Sequence, residues 1–176
     1  MAIHNIVTLH NQNLLREKSA PVSLIDADIR KLIEEMFETM YAAPGIGLAA
    51  IQIGIRKRII TLDISKNEAS PERHVLINAK ITLSSVETEA REEGCLSIPE
   101  YYEEVKRAAR IKVKYLDHHG KDREMEADGL LARCMQHEID HNNGVLFIDH
   151  ISRLKRNLVL KKFAKASRIS VKKVRP

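Results

Sequence analysis

The sequence predicts an α+β fold, with antiparallel β-sheets packed around a central helix and a further helix at the C-terminus. Candidate strands come in one block, from about Arg58 to Ala127. Candidate helices lie near the start, in the late middle and at the end. Strand and helix do not alternate regularly, which disfavours a doubly wound parallel sheet.

The first helix is predicted from Ala27 to Tyr41. Ile29, Leu32, Ile33, Met36, Phe37 and Met40 recur at helical spacing on one face. Ser23-x-x-Asp26 resembles a capping box, and Pro44 stops the helix. Two close glycines follow in Pro44-Gly45-Ile46-Gly47-Leu48-Ala49-Ala50-Ile51-Gln52, a segment that lets a ligand approach the backbone. Arg58–Ile64 and His74–Ile77 read as short strands, and Lys80–Glu93 as one or two more. Ile111, Val113 and Tyr115 alternate with Lys112 and Lys114, the pattern of a half-buried strand. His118-His119-Gly120-Lys121 forms a hairpin turn into Arg123–Ala127. Asp128 caps a helix over Gly129–Asn143 that ends at Gly144. A basic helix containing Leu154, Leu158, Lys161 and Lys162 follows and is expected to fray after about Ala166.

A chain of 176 residues with 44% hydrophobic side chains can bury one core. Aromatics are 4% and Trp is absent, which argues against stacking platforms for single-stranded nucleic acid. Two cysteines, Cys95 and Cys134, do not make a disulfide framework. No apolar run approaches the ~18 residues of a membrane span. Met1–Asn5 does not read as a targeting peptide, so the expected location is cytoplasmic, without a membrane. Charge is unevenly spread. Residues 153–176 carry ten Lys or Arg and no Asp or Glu, whereas the whole chain has 29 basic and 24 acidic side chains. We therefore divide the chain into a body, 1–152, and a basic tail, 153–176, that suits a polyanionic partner.

Chemistry concentrates in Gln136-His137-Glu138-Ile139-Asp140-His141, an H-E-x-x-H pattern on a predicted helix. Residues four apart share a helix face, so His137 and His141 can bind one metal ion together. The central helix is thereby a metal-binding helix. Glu138 is rotated about 100° around it, able to reach a bound water without being a ligand. Leu130, Cys134, His137 and His141 form a stripe expected to be buried, and two buried imidazoles need partners. A third ligand could come from Cys134, Cys95 or a carboxylate, and local spacing does not choose among them.

Gly45-Ile46-Gly47-Leu48-Ala49-Ala50-Ile51-Gln52, Glu93-Gly94-Cys95-Leu96-Ser97 and Gln136-His137-Glu138-Ile139-Asp140-His141 together resemble, in order and spacing, the three signature motifs of the peptide deformylases. The resemblance spans roughly Pro21 to Phe147. It implies removal of the formyl group from the N-terminal formyl-methionine of nascent polypeptides, with release of formate. It implies Cys95, His137 and His141 as metal ligands, with Glu138 as the base that activates metal-bound water and later as the acid. Gln52 and the Leu96 N–H would hold the oxyanion. Gly45, Ile46 and Gly47 would meet an extended peptide, with Glu93 also among the substrate-binding residues. Ile46, Leu130, Cys134 and His137 would line the methionine pocket. The metal would be Fe²⁺, with Zn²⁺, Ni²⁺ or Co²⁺ able to substitute. The partners would be N-formylmethionyl peptides and, through the basic tail, the ribosome.

Three places depart from the family pattern. Asn142 follows the second histidine, where an apolar residue is usual. His10–Arg16 lacks a Pro-Asp-Pro turn. Tyr102 lies near where a basic rim residue is common and is a candidate contact for the second substrate residue. His74, His118, His119 and His150 read as surface histidines. Asp140 faces away from the ligand stripe and is a candidate partner for Arg107. Two other functions compete. A zinc endopeptidase would need a third ligand beyond His141, and Asp149 and His150 lie past Gly144. A structural metal module would need Cys134 to join Cys95, His137 and His141 in a closed shell.

Overall fold

The computed structural model describes residues 2–65 and 71–173, with side chains described as far as residue 165. Its helices are α1 (Gln12–Leu15), α2 (Ala27–Ala42), α3 (Gly129–Asn142) and α4 (Arg153–Lys173). Its strands are β1 (Gly47–Ala49), β2 (Ile59–Asp63), β3 (Arg73–Ser84), β4 (Thr88–Cys95), β5 (Ile98–Ala108), β6 (Arg110–Leu116) and β7 (Asp122–Asp128). The class is α+β, as the sequence predicts. Every strand pairing is antiparallel, in a five-stranded sheet ordered β1-β2-β3-β6-β7 and a separate β4–β5 ribbon. No helix among the described residues is long and apolar enough to cross a membrane.

Alternation along the strands explains how the large sheet is covered. Leu48, Ile59 and Ile77 pack with Ile29, Ile33, Met36, Phe37 and Met40 of α2. Ala49, Ile60, Leu62, Leu76 and Val113 pack instead with Ala132, Cys134, Met135 and Ile139 of α3. The sheet thus separates the two helices, and α3 is buried almost all round from Ala132 to Ile139. Val159 and Phe163 of α4 join a third cluster with Leu9, Leu15, Ile98 and Phe147.

Several local readings change. Asp26 is itself the N-cap of α2, its Oδ1 accepting the Ile29 N–H at 2.9 Å, so Ser23 caps nothing. Asp128 occupies the N-cap position of α3, but its side chain makes no capping bond. The strand at His74 extends to Ser84 through two register shifts, with Asn78 in the left-handed region at φ 56°. Its amide holds that bulge by bonding both the N–H and the carbonyl of Val22 at 2.8 Å. The β5 strand, absent from the sequence reading, is the partner that makes the β4 ribbon. Helix α4 continues past Ala166 to Lys173 and turns Val159 and Phe163 inward, leaving Leu154 and Leu158 exposed. The end of the basic tail, 174–176, lies outside the described residues. Gly144, just past α3, has φ +74°, and a Cβ there would sit 2.2 Å from the Arg16 carbonyl oxygen. Both conformation and space therefore demand glycine.

Candidate metal centre and substrate cleft

The end of β4 brings Cys95 to one face of α3. Its Sγ lies 3.3 Å from Nε2 of His141, and the ligand atoms of Cys95, His137 and His141 all fall within 4.8 Å of one another. These are the only three metal-capable side chains so grouped among the described residues. A tetrahedral site with ~2.0–2.3 Å bonds places its ligand atoms at such separations, and three protein donors leave one position open. The set fits a divalent transition metal. Both thiols are free, and Cys134 stands outside the group, 3.7 Å from the Ile46 carbonyl. No closed four-ligand shell forms.

Glu93 orients the first histidine. Its Oε2 meets Nδ1 of His137 at 3.1 Å, which leaves Nε2 for the metal. The same carboxylate accepts from Arg107 at 2.6 and 3.0 Å and from Arg133 at 2.7 Å. Burial alone would raise its pKa, but the bonds from His137 and Arg107 hold it down at about 2. Glu93 borders the cleft, yet its carboxylate is wholly engaged with this network. Arg107 continues to Asp140 at 2.8 Å, the pairing expected from the sequence. His150, expected at the surface, is exposed there and meets the same Asp140 oxygen at 2.8 Å. Burial and the neighbouring His137 charge lower the pKa of His141 and keep it neutral, the form that ligates. For His137, burial opposes protonation, but the bonds to Cys95 and Glu93 prevail and raise its pKa.

A cavity of about 530 Å³ opens beside this centre, lined among others by Gly45, Ile46, Gly47, Leu96, Leu130, Cys134 and Glu138. Glu138 is 3% exposed, and its Oε2 has no hydrogen-bond partner. Burial pushes its pKa up to about 7, the range of a general base working near neutrality. Gln52 is locked by both ends of its amide. Oε1 accepts from the Ala49 N–H at 2.8 Å, while Nε2 donates to Ser97 Oγ at 3.2 Å and lies 3.6 Å from Cys95 Sγ. Gly47 is required by close approach, because a Cβ there would lie 2.5 Å from Glu138 Oε1 and 2.8 Å from Cys134 Sγ. The Gly45 N–H is already taken by the Met40 carbonyl, and the Ile46 carbonyl by the Asp63 N–H, each at 2.9 Å. Leu130, expected in the buried stripe, is 48% exposed, because the first turn of α3 reaches the mouth of the cavity.

Sequence reasoning missed Arg133, Ser97 and Ile6. Arg133 lies four residues before His137, one helical turn, which is the only local hint of its role. Ser97 and Ile6 reach the site through chain pairing that no local pattern encodes. The N–H groups of Val7 and Leu9 donate to the carbonyls of Gln52 and Ser97 at 2.7 and 3.0 Å.

Known proteins are similar to this chain in sequence and fold. A family model described as polypeptide deformylase matches residues 3–157. A peptide deformylase of Rhizobium meliloti (strain 1021) is 58% identical over 155 residues, covering 88% of this chain and 89% of its own. The crystal structure of a peptide deformylase from Legionella pneumophila superposes with a TM-score of 0.87 at 43% identity, covering 99% of this chain and 100% of its own. That from Ehrlichia chaffeensis gives 0.86 at 39% identity, covering 94% and 97%. With its motifs, fold and metal-binding triad all in agreement, the chain belongs to the peptide deformylase family.

Proposed function

We propose that the cleft receives the formylated N-terminus of a nascent polypeptide and that Glu138 drives hydrolysis of the formyl amide. The observation that carries this reading is the buried, unpartnered Oε2 of Glu138 on the wall of the cavity that holds the Cys95–His137–His141 group. A divalent metal held by these three side chains supplies Lewis acidity and makes a bound water more acidic.

The chain's own residues do the rest. Ile46, Leu130 and Cys134, with His137 beside them, offer apolar walls to the methionine side chain. The Gly45 carbonyl and Ile46 N–H remain for an extended peptide backbone, in the manner of an added strand. Gln52 Nε2 and the Leu96 N–H hold the oxygen that gains charge as water attacks the formyl carbon. Because Ala49 and Ser97 already fix the Gln52 amide, little reorganisation is needed at that moment. Glu138 accepts the proton of the attacking water and passes it to the amine as the C–N bond breaks. Formate and a free methionyl amine leave. Glu93 holds His137 in position throughout.

We take Fe²⁺ as the native metal, with Zn²⁺, Ni²⁺ or Co²⁺ able to replace it. The resemblance and the thiolate–imidazole donor set support this, and metal analysis after anaerobic purification tests it. We assign catalysis to residues 1–152 and ribosome docking, in the cytoplasm, to the basic segment 153–176. Support for docking is the row of exposed Lys161, Lys162 and Lys165 on α4.

Formate release from formyl-Met-Ala-Ser by anaerobically purified protein, with Glu138→Ala as control, tests the assignment. Release that collapses in the control is expected. Equal release by both proteins would remove Glu138 from its role.

A further inference from the structure

We propose that His4 and Glu35 are positioning residues for the formyl hydrolysis. Their pair is a clasp on an N-terminal strap, residues 4–9, that holds Gln52 and Ser97 at a fixed separation. This role rests on the deformylase reading of the cleft, in which Gln52 and the Leu96 N–H meet the oxyanion.

The strap passes the cleft without joining either sheet, and Ile6 lines the cavity. The residues after Ile6 close a ring. The Val7 N–H donates to the Gln52 carbonyl at 2.7 Å, and the Leu9 N–H donates to the Ser97 carbonyl at 3.0 Å. On the other side, Gln52 Nε2 donates to Ser97 Oγ at 3.2 Å. Gln52 and Ser97 are therefore tied twice, once through their side chains and once through the strap. Val7 and Leu9 are two residues apart, a span of at most about 7 Å, which limits how far the two carbonyls can separate. Leu96 directly precedes Ser97. The ring thus restrains both segments that meet the oxyanion.

Upstream, the strap is fastened to α2. Nε2 of His4 donates to Oε2 of Glu35 at 2.9 Å, and the His4 N–H donates to Oγ1 of Thr39 at 3.0 Å. Thr39 is buried, and its hydroxyl donates onward to the Glu35 carbonyl at 2.7 Å. The bond from His4 holds the Glu35 carboxyl below its ordinary pKa, so it is charged at neutral pH. Lys31 lies 3.8 Å from the other Glu35 oxygen with its side chain 74% exposed, an arrangement that contributes little. Only Asn5 and Ile6 separate His4 from Val7. Anchoring His4 therefore leaves Val7 little freedom, whereas a terminus that is not tied down frays. Loosening at His4 reaches the Gln52 carbonyl first.

The test uses metal-loaded protein and formyl-Met-Ala-Ser. In His4→Ala, kcat should fall about tenfold, less than the ~100-fold or more of deleting an oxyanion donor outright. KM should stay within about twofold, because the oxyanion forms only in the transition state. Amide exchange at Val7 should quicken while Met135 and Ile139 of α3 stay protected. His4→Gln, whose amide still donates to Glu35, should recover most of the rate. Glu35→Ala places a good helix former on α2 and should repeat the loss. The double variant should lose no more than either single one. Lys31→Ala should be neutral. If His4→Ala instead exposes the α3 core, the comparison of Glu35→Ala with Lys31→Ala decides. Unchanged kcat, a raised KM with unchanged kcat, or a slower kcat with Val7 still protected would each overturn the clasp and leave the deformylase reading intact. No formate from the unaltered protein would overturn both.

Discussion

The carboxylate of Glu93 lies 3.1 Å from Nδ1 of His137 and also takes both buried arginines, Arg107 and Arg133, so one side chain joins the metal centre to the β4–β5 ribbon. Replacing it with Gln removes the charge that fixes the His137 ring and strands two cations. Metal affinity should fall by about 10–100-fold, as measured by competition with a chelator. Breaking a buried charge set of this kind should also cost about 3–5 kcal/mol in denaturant unfolding. Unchanged metal retention would show that His137 is positioned by packing alone.

Gly47→Ala should abolish turnover without removing the metal. The new methyl would overlap Glu138 Oε1 at 2.5 Å and Cys134 Sγ at 2.8 Å, and both groups sit on the buried stretch of α3, Ala132 to Ile139, with little room to yield. A loss of at least ~100-fold in kcat/KM follows if Glu138 is displaced by even ~1 Å. Gly54→Ala is the control. Gly54 has φ +83° but open space around it, so the change should cost about 1 kcal/mol of stability and leave the rate alone. Near-normal turnover by the Gly47 variant would mean that Glu138 has more freedom than its burial suggests.

The comparison of these two glycines shows what was legible in the sequence. The G-I-G and H-E-x-x-H patterns both mark the cleft, with Gly45, Ile46, Gly47, His137 and Glu138 lining it. Helix α2 was equally legible, since its apolar spacing survives as a buried face. The β5 strand was not. Its outward residues include the charged Glu100, Glu104 and Lys106, Pro99 interrupts its start, and its only strand partner among the described residues is β4, so neither composition nor period marks it. Arg133 and Ser97 escaped for a related reason. Their roles arise from contacts with Glu93 and Gln52, some 40 residues away in sequence, set by ribbon register rather than by local pattern.

Asn142 is fully buried, and neither its Oδ1 nor its Nδ2 has a hydrogen-bond partner. Its backbone carbonyl is used, by Ser19 N–H at 3.0 Å and Arg58 at 3.3 Å, so only the side chain is in deficit. Unsatisfied buried polar groups cost about 1–3 kcal/mol, and an apolar side chain of similar size should recover part of that. Asn142→Leu should therefore raise the melting temperature by several degrees, at roughly 2–4 °C per kcal/mol. Turnover should persist, because the neighbouring His141, a proposed metal ligand, keeps its place on α3. A lowered melting temperature would show that the amide is satisfied in solution.

Helix α4 splits its duties by face. Val159 and Phe163 are buried in the body, so truncation at Ser152 would remove core as well as charge. Charge reversal separates the two. Lys161→Glu/Lys162→Glu/Lys165→Glu should leave the fold and formate release unchanged, since all three side chains are exposed. Ribosome binding in a sedimentation assay should weaken sharply and lose most of its salt dependence. Binding that persists at physiological salt would place docking elsewhere.

The proposed role of Glu138 sets catalysis against stability. Its folded-state pKa of about 7 lies above the ordinary 4.5 because the group is buried. The folded protein therefore holds this proton more tightly than the unfolded chain does. The resulting stability is fully present below pH ~4.5 and is lost as pH rises through ~7, a swing on the order of 3 kcal/mol. Glu93 acts oppositely, but its window lies between its ordinary 4.5 and about 2, outside the range of the test. Glu138→Gln keeps the shape and abolishes the titration, while His137 and His141 titrate in both proteins. In chelated, metal-free protein the variant should match the wild type near pH 5 and be the more stable of the two at pH 8. Calorimetry at the two pH values reads this directly, and formate assays on metal-loaded samples should show the same variant inactive. A stability gap independent of pH would mean that the carboxyl is already ionised and solvated at rest, and that water reaches Glu138 more freely than its 3% exposure suggests.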